Sequence, residues 1–205
     1  MVMSFKLSAG VEVPDLAGIS EGYELSLNKN YTVIKLNISR ENLEETFIRL
    51  SSLVRAPSFF ILEHPTHRDK EMELRTSPND PLHKDVNYID GLDIDGLKKI
   101  WKLCSEFCLD DGATTFGYGS HEGYDEVFVA RYKITYIYTD TPSKYIEILE
   151  QLKFPRVKRL KTVWDNFSEE KPGNTIALEI GGKRIYEIVE ALKAHGLYFA
   201  DHRED

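Results

Sequence analysis

Cysteine is scarce in this sequence, with two among 205 residues. That excludes a disulfide-stapled scaffold. Cys104 and Cys108 stand four apart on the apolar side of a predicted helix, so they read as buried thiols and not as a redox or metal pair. No apolar run approaches the ~20 residues of a membrane-spanning helix. The segment from Met1 to Lys6 lacks a basic stretch followed by an apolar one, so no signal peptide is expected. Together these absences predict a protein of the reducing cytoplasm with no membrane partner.

Basic charge is also in deficit. Lys and Arg total 26 against 34 Asp and Glu, which leaves a net charge of −8 and a pI near 5.3. Nucleic acid is a poor partner for such a chain, because phosphate contacts are made by Lys and Arg. The acid excess suits a basic protein partner, since complementary charge speeds encounter. It would equally serve solubility alone.

Cofactor and catalytic motifs are missing too. Gly117-Tyr118-Gly119 with Gly123 has the look of a phosphate loop, but a strand follows it where a dinucleotide fingerprint needs a helix. Asp93-Ile94-Asp95-Gly96 fails as a calcium loop, because Gly91 and Lys102 fall where carboxylates are required. There is no Walker loop and no Gly-x-Ser-x-Gly elbow. His64, His67 and His83 sit in one polar connection, but Pro65 prevents a regular helix across the first two and the spacing matches no metal motif. Surface histidines are the expectation there, with no catalytic residue, metal or cofactor assigned. A metal-dependent enzyme using this histidine-containing connection stays open as an alternative, as does a small-molecule-binding domain.

What is present reads as one α+β domain over 1–205, with a mixed, partly antiparallel sheet and helices packed on it. Residues 1–30, broken by Gly10, Pro14, Gly18 and Gly22, form an irregular arm. Tyr31–Asn37 is a strand, Leu43, Phe47, Leu50 and Val54 mark a helix, and Ser58–Glu63 is a second strand. Strand, helix and strand compose a β-α-β unit with its strands parallel. Residues 64–85 are a long polar connection, followed by a short strand at 85–89. Asp93 or Asp95 caps a helix carrying Leu97, Ile100, Trp101, Cys104 and Phe107.

Thr114–Tyr138 reads as a hairpin whose second arm is too long for one strand, so a break is expected around Lys133 to Thr135. Phe128, Ala130, Tyr132, Ile134, Tyr136 and Tyr138 share one face of that arm, assigned to the core. Thr141-Pro142 starts a helix, Thr175–Ile180 is a strand, and Ile185 to Leu192 is a last helix stopped by Gly196. The tail Asp201–Asp205 is expected to fray.

The run Phe116-Gly117-Tyr118-Gly119-Ser120-His121, the following Asp125-Glu126-Val127, and Trp164-Asp165-Asn166-Phe167 with Pro172-Gly173 resemble small acidic immunity-type proteins of Gram-positive bacteria. The resemblance covers roughly the C-terminal half. Some of these proteins are encoded beside toxins and act by binding. The resemblance therefore implies a cytoplasmic protein-binding module that occludes a cognate, basic toxin domain, and carries no catalytic residue over. Candidate contacts at the hairpin ends are Asp110, Asp111, Tyr118, His121, Glu122, Tyr124, Asp125 and Glu126.

Overall fold

The computed structural model describes residues 5–204. The expectations for Met1–Ser4 and for Asp205 lie outside the described residues. In chain order the elements are β1 (Val11–Glu12), β2 (Gly22–Leu27), β3 (Thr32–Asn37), α1 (Arg40–Ser51), β4 (Ser58–Pro65), α2 (Arg68–Leu74), β5 (His83–Asp90), α3 (Ile94–Asp110), β6 (Thr115–Ser120), β7 (Glu126–Val129), β8 (Thr135–Thr139), α4 (Pro142–Gln151), β9 (Asn174–Thr175), α5 (Ile185–Lys193) and β10 (Tyr198–Glu204). The chain is α+β.

Eight strands form one sheet in the order β10-β5-β4-β6-β7-β8-β3-β2, and each ladder in it is antiparallel. Parallel pairing, expected of a mixed sheet, is confined to an isolated bridge between Tyr23 and Arg156. β3 and β4 do run in the same direction, as the β-α-β reading requires. Three strands, β6, β7 and β8, are interposed between them.

Helices cover one face. Phe47 of α1 and Trp101 of α3 pack on Phe116 of β6 at ring distances of 4.9 and 5.4 Å. Ile34, Leu36, Phe60, Leu62, Val127, Val129 and Ile137 complete the strand side of this core, and Leu43, Leu97, Cys104, Cys108, Leu149 and Leu192 the helix side. Cys104 and Cys108 are buried free thiols. α3 begins where Asp93 accepts a hydrogen bond from the Gly96 amide at 2.7 Å. That satisfies a backbone donor that a helix start leaves unpaired. A second, smaller cluster joins Val11 and Ile19 of the N-terminal arm to Tyr132, Ile134 and Val163.

Several sequence expectations are corrected. The long second arm of the hairpin is two strands: β7 and β8 fold back on each other around 130–134, a turn that overlaps the break expected at 133–135. Tyr132 and Ile134, assigned to the core, are buried in the smaller cluster, but along the two strands the faces are exchanged. Val127, Val129, Thr135 and Ile137 are buried under the helices, while Phe128, Tyr136 and Tyr138 are half-buried on the opposite side. β-branched side chains suit the close helix-covered layer, and the amphipathic tyrosines suit a face that meets water. The arm contributes a full edge strand, β2, paired with β3. The connection at 64–85 contains α2, and β5 starts at His83. Strand pairing at 174–180 is limited to β9, which pairs with β1 outside the main sheet, and one bridge at Ile180. Residues 201–204 do not fray: β10 pairs with β5 along its length, with a bulge between Phe199 and Asp201.

The β7–β8 turn is anchored from within. Tyr132 and Lys133 both adopt left-handed backbone, with φ of 58° and 59°. Lys133 is buried and its Nζ donates to the Thr114 carbonyl at 2.8 Å. Burial lowers its pKa to about 8. The lysine thus ties the turn to the chain entering β6.

The glycines of Phe116-Gly117-Tyr118-Gly119 are explained by close approach. Gly119 faces Phe59 across the β4–β6 ladder, and Gly117 faces Phe128 across β6–β7. A Cβ on Gly119 would stand 2.6 Å from the Phe59 ring, and one on Gly117 would stand 2.8 Å from the Phe128 ring. Each ring therefore lies over the glycine beside it, a pairing that fills a glycine gap in a sheet. The glycines are seats for aromatic rings and hold no phosphate loop. Gly119→Ala should destabilise the fold by ~1–3 kcal/mol through overpacking. Urea unfolding of Gly119→Ala, of Phe59→Leu and of the double variant checks this: the double variant should lose less than the sum of the two, and strict additivity would refute the contact.

Candidate functional site

No α-helix among the described residues buries a side chain on the second face of the sheet, whose β8 end is instead covered at Tyr136 by the N-terminal arm and the 163–167 segment. Ile61 and Val86 are buried there yet belong to neither hydrophobic cluster. Around them lie two groups of aromatic side chains. On one side of β6, Phe59 meets Tyr88 at 5.5 Å, and Tyr88 lies 6.3 Å from Tyr198. On the other, Tyr31 stacks on Tyr124 at 5.1 Å and approaches Tyr138 at 6.2 Å, with Tyr136 beside Tyr138 at 6.5 Å. β6 runs between them, and its inward Phe116 and Tyr118 leave only Thr115, Gly117 and Gly119 on this side.

Two carboxylates sit on the same face. Glu63 is buried, accepting from the Thr115 hydroxyl at 2.8 Å and from Arg203 at 3.1 Å. Glu126 lies opposite Tyr138 on the β7–β8 ladder, and its Cγ stands against Gly119 beside the Phe59 ring. Burial pushes its pKa up, and the nearby Glu63 charge pushes the same way, against Arg203.

The eight residues singled out from sequence are not brought together. Asp111 is fully buried (0% exposed) and accepts from the amides of Ala113, Thr114 and Leu178. Tyr118 is 2% exposed on the helix side, where its hydroxyl reaches Leu92 and Ser58. Asp125 is 1% exposed and bonded to Arg55, Lys144 and Thr139 at 2.7 Å each. These three are structural groups, turned inward by strand alternation and turn geometry, and they offer no side chain to a partner. Asp110 is held by Arg40 in a two-pronged pair at 2.6 Å. His121 pairs with Asp90 at 2.8 Å. Glu122 and Tyr124 are exposed on the turn, Tyr124 at 41%, and Glu126 is half-buried on the sheet. Only Tyr124 and Glu126 belong to the uncovered aromatic face, with His121 at its margin against Phe59. Phe59, Tyr88, Phe128, Tyr138 and Tyr198 were missed. For Phe128 and Tyr138 the signal is an alternating aromatic run, assigned from sequence to the core, whereas Phe59, Tyr88 and Tyr198 carry no such periodic signal.

The Asp125 cluster holds the base of the 121–125 turn. Burial opposes its charge, but bonds from Lys144 and Thr139 outweigh that and keep its pKa below the ordinary carboxylate value. Asp125→Asn should cost about 2 kcal/mol, the worth of hydrogen bonds to a charged group. The loss should shrink as pH falls below the unfolded carboxylate value of ~3.9, where the wild type loses the same stabilisation. Urea midpoints at neutral and acid pH measure it, and an unchanged difference would contradict the assignment.

A separate cavity of about 390 Å³ lies between the helix-side edge of the sheet and α5, lined by His64, His67, Asp85, Tyr186 and Phe199, among others. His64 is 3% exposed; its Nδ1 is 2.9 Å from the Pro65 carbonyl, and its ring meets Tyr186 edge-on. His67 reaches the same tyrosine, whereas His83 is turned away to Glu71. No group of three His, Cys, Asp or Glu side chains is arranged to hold a metal among the described residues. Burial lowers the His64 pKa from 6.5, against the Pro65 carbonyl and the Asp85 charge. The unfolded chain therefore takes up this proton first, and stability should fall as pH drops below 6.5. His64→Gln should reduce that loss between about pH 7 and about pH 5.5, as read from urea midpoints. An identical slope in the variant would show that His64 does not set it.

The chain matches no protein-family model, no curated protein and no solved structure. No helix among the described residues is long and apolar enough to cross a membrane.

Proposed function

We propose that this chain is a cytoplasmic protein-binding module, an immunity-type inhibitor that occludes the working site of a cognate toxin domain. The observation that supports this reading is the uncovered sheet face. It carries tyrosine and phenylalanine rings held at fixed positions by cross-strand contacts. Rings with few rotatable bonds lose little entropy on binding, and Tyr and Trp dominate the energetics of many interfaces. The acidic balance of the chain favours a basic partner, such as a nuclease cleft, and the mechanism is steric. Tyr31, Tyr124 and Tyr138 are the aromatic anchors, and Glu122 and Glu126 supply negative charge at the turn and beside it.

Capture from the native host with the tagged chain tests the proposal. A basic protein encoded beside this gene should be retained, and its toxic activity should be suppressed on binding. Tyr124→Ala with Tyr138→Ala should weaken that complex at least tenfold, as loss of hot-spot residues does. If the neighbouring gene product is not retained, or is retained with its activity intact, the inhibitor reading fails. A second reading, a small-molecule-binding domain, is favoured only by the His64 cavity. A thermal-shift screen against nucleotides and metabolites separates the two, since a ligand seated there should raise the melting temperature of the wild type more than that of His64→Gln.

A further inference from the structure

We propose that Glu126 and the rings of Phe59 and Tyr138 form a receptor for one arginine side chain of the partner. This deepens the protein-binding reading and rests on it for the identity of the partner. The first observation is an imbalance of hydrogen bonding. Glu126 is half-buried, yet its carboxylate accepts no hydrogen bond and joins no ion pair among the described residues. Its neighbours on the face are served: Glu63 has Thr115 and Arg203, and Glu24 has Lys35 at 3.3 Å. A carboxylate partly withdrawn from water without a donor costs stability that a bound cation would recover.

The second observation is what surrounds it. Glu126 Cγ and the Phe59 ring converge on the same point above Gly119, at 3.2 and 2.6 Å from a Cβ placed there. On the other side Tyr138 is its direct cross-strand partner. An aromatic ring on each side of an unpaired carboxylate is the combination that takes a planar cation: the rings attract it through their faces and the carboxylate accepts its N–H groups. Guanidinium fits better than ammonium, because it is flat, weakly hydrated and presents a fork of donors. The site lies on the uncovered face, so the cation can arrive on a partner's surface without any movement of the helices.

Basic groups around the site are otherwise engaged: His121, whose ring lies 5.0 Å from that of Phe59, is paired with Asp90. Arg203 is bonded to Glu63, and Arg55 to Asp125 and Asp140. Arg203 acts on Glu126 only at a distance.

Titration with arginine methyl ester, followed by NMR, tests the site without the partner. The Gly119 amide and the ring resonances of Phe59 and Tyr138 should shift with a millimolar Kd. Glu126→Gln, which keeps size and shape, should weaken binding roughly tenfold, and Phe59→Leu should weaken it less. Citrulline methyl ester blocked at its α-amine, flat but uncharged in its side chain, should leave the same resonances unmoved when set against the equally blocked arginine ester. Equal shifts from the two esters, or equal affinity in Glu126→Gln, would overturn the proposal. If the blocked arginine ester binds and no toxin is captured, the cation site stands and the inhibitor reading falls. If a toxin is captured with the same affinity by Glu126→Gln, the inhibitor reading stands and the cation site falls.

Discussion

One-sided burial governs this protein. A side chain on an antiparallel strand points either toward the helices or away from them, with no intermediate choice. Once α1, α3, α4 and α5 occupy one side, alternation assigns every strand residue a role. Phe116 and Tyr118 become core, and Gly117 and Gly119 between them become floor. The same alternation sets Val127 and Val129 beneath the helices and Phe128 outside. The uncovered face is the necessary complement of the core.

What stands on that face is held in place by the sheet itself. Aromatic rings of β4 and β7 fill the space above the glycines of β6, and Tyr138 of β8 leans on Tyr31 with Tyr136 beside it. The outer layer is therefore ordered without a second set of helices. Polar groups at the hairpin tip serve a different purpose. Asp125 draws together Arg55, from the segment after α1, with Thr139 and Lys144 at the junction of β8 and α4, and fixes where the exposed Tyr124 and Glu122 can stand. The acidic residues of this region thus divide between those that hold the turn and those that meet solvent.

Much of the architecture was legible in the sequence. The apolar period of 43–54, the aspartate before Ile94, and the proline after Thr141 each mark a helix that is present, because these signals are local. The face of the 127–138 segment was not legible. Phe128, Tyr136 and Tyr138 offer as much ring surface to bury as Val127 and Ile137 offer aliphatic surface, and periodicity alone cannot say which set the helices will cover. β10 was missed for a related reason. Its sequence is polar and reads as a tail, but pairing with β5 satisfies its backbone whatever its side chains are. The candidate contacts split along the same line. Residue type identified Tyr124 and Glu126, but only the turn and ladder geometry removes Asp111, Tyr118 and Asp125 from the surface.

The ladder between β3 and β8 has a kinetic consequence. It joins Leu36 to Thr135 and Thr32 to Thr139, so roughly a hundred residues must be looped before these strands meet. The hairpins β4–β5, β6–β7 and β7–β8 can zip locally, while β2 and β3 can attach only when that loop closes. Closure entropy of this size must be spent before the contacts repay it, which slows folding relative to a helical chain of the same length. The half-built intermediate would present β8 with a bare edge, made of alternating Thr, Tyr and Ile. Until β3 arrives, that edge is the segment of this chain most exposed to pairing with another copy.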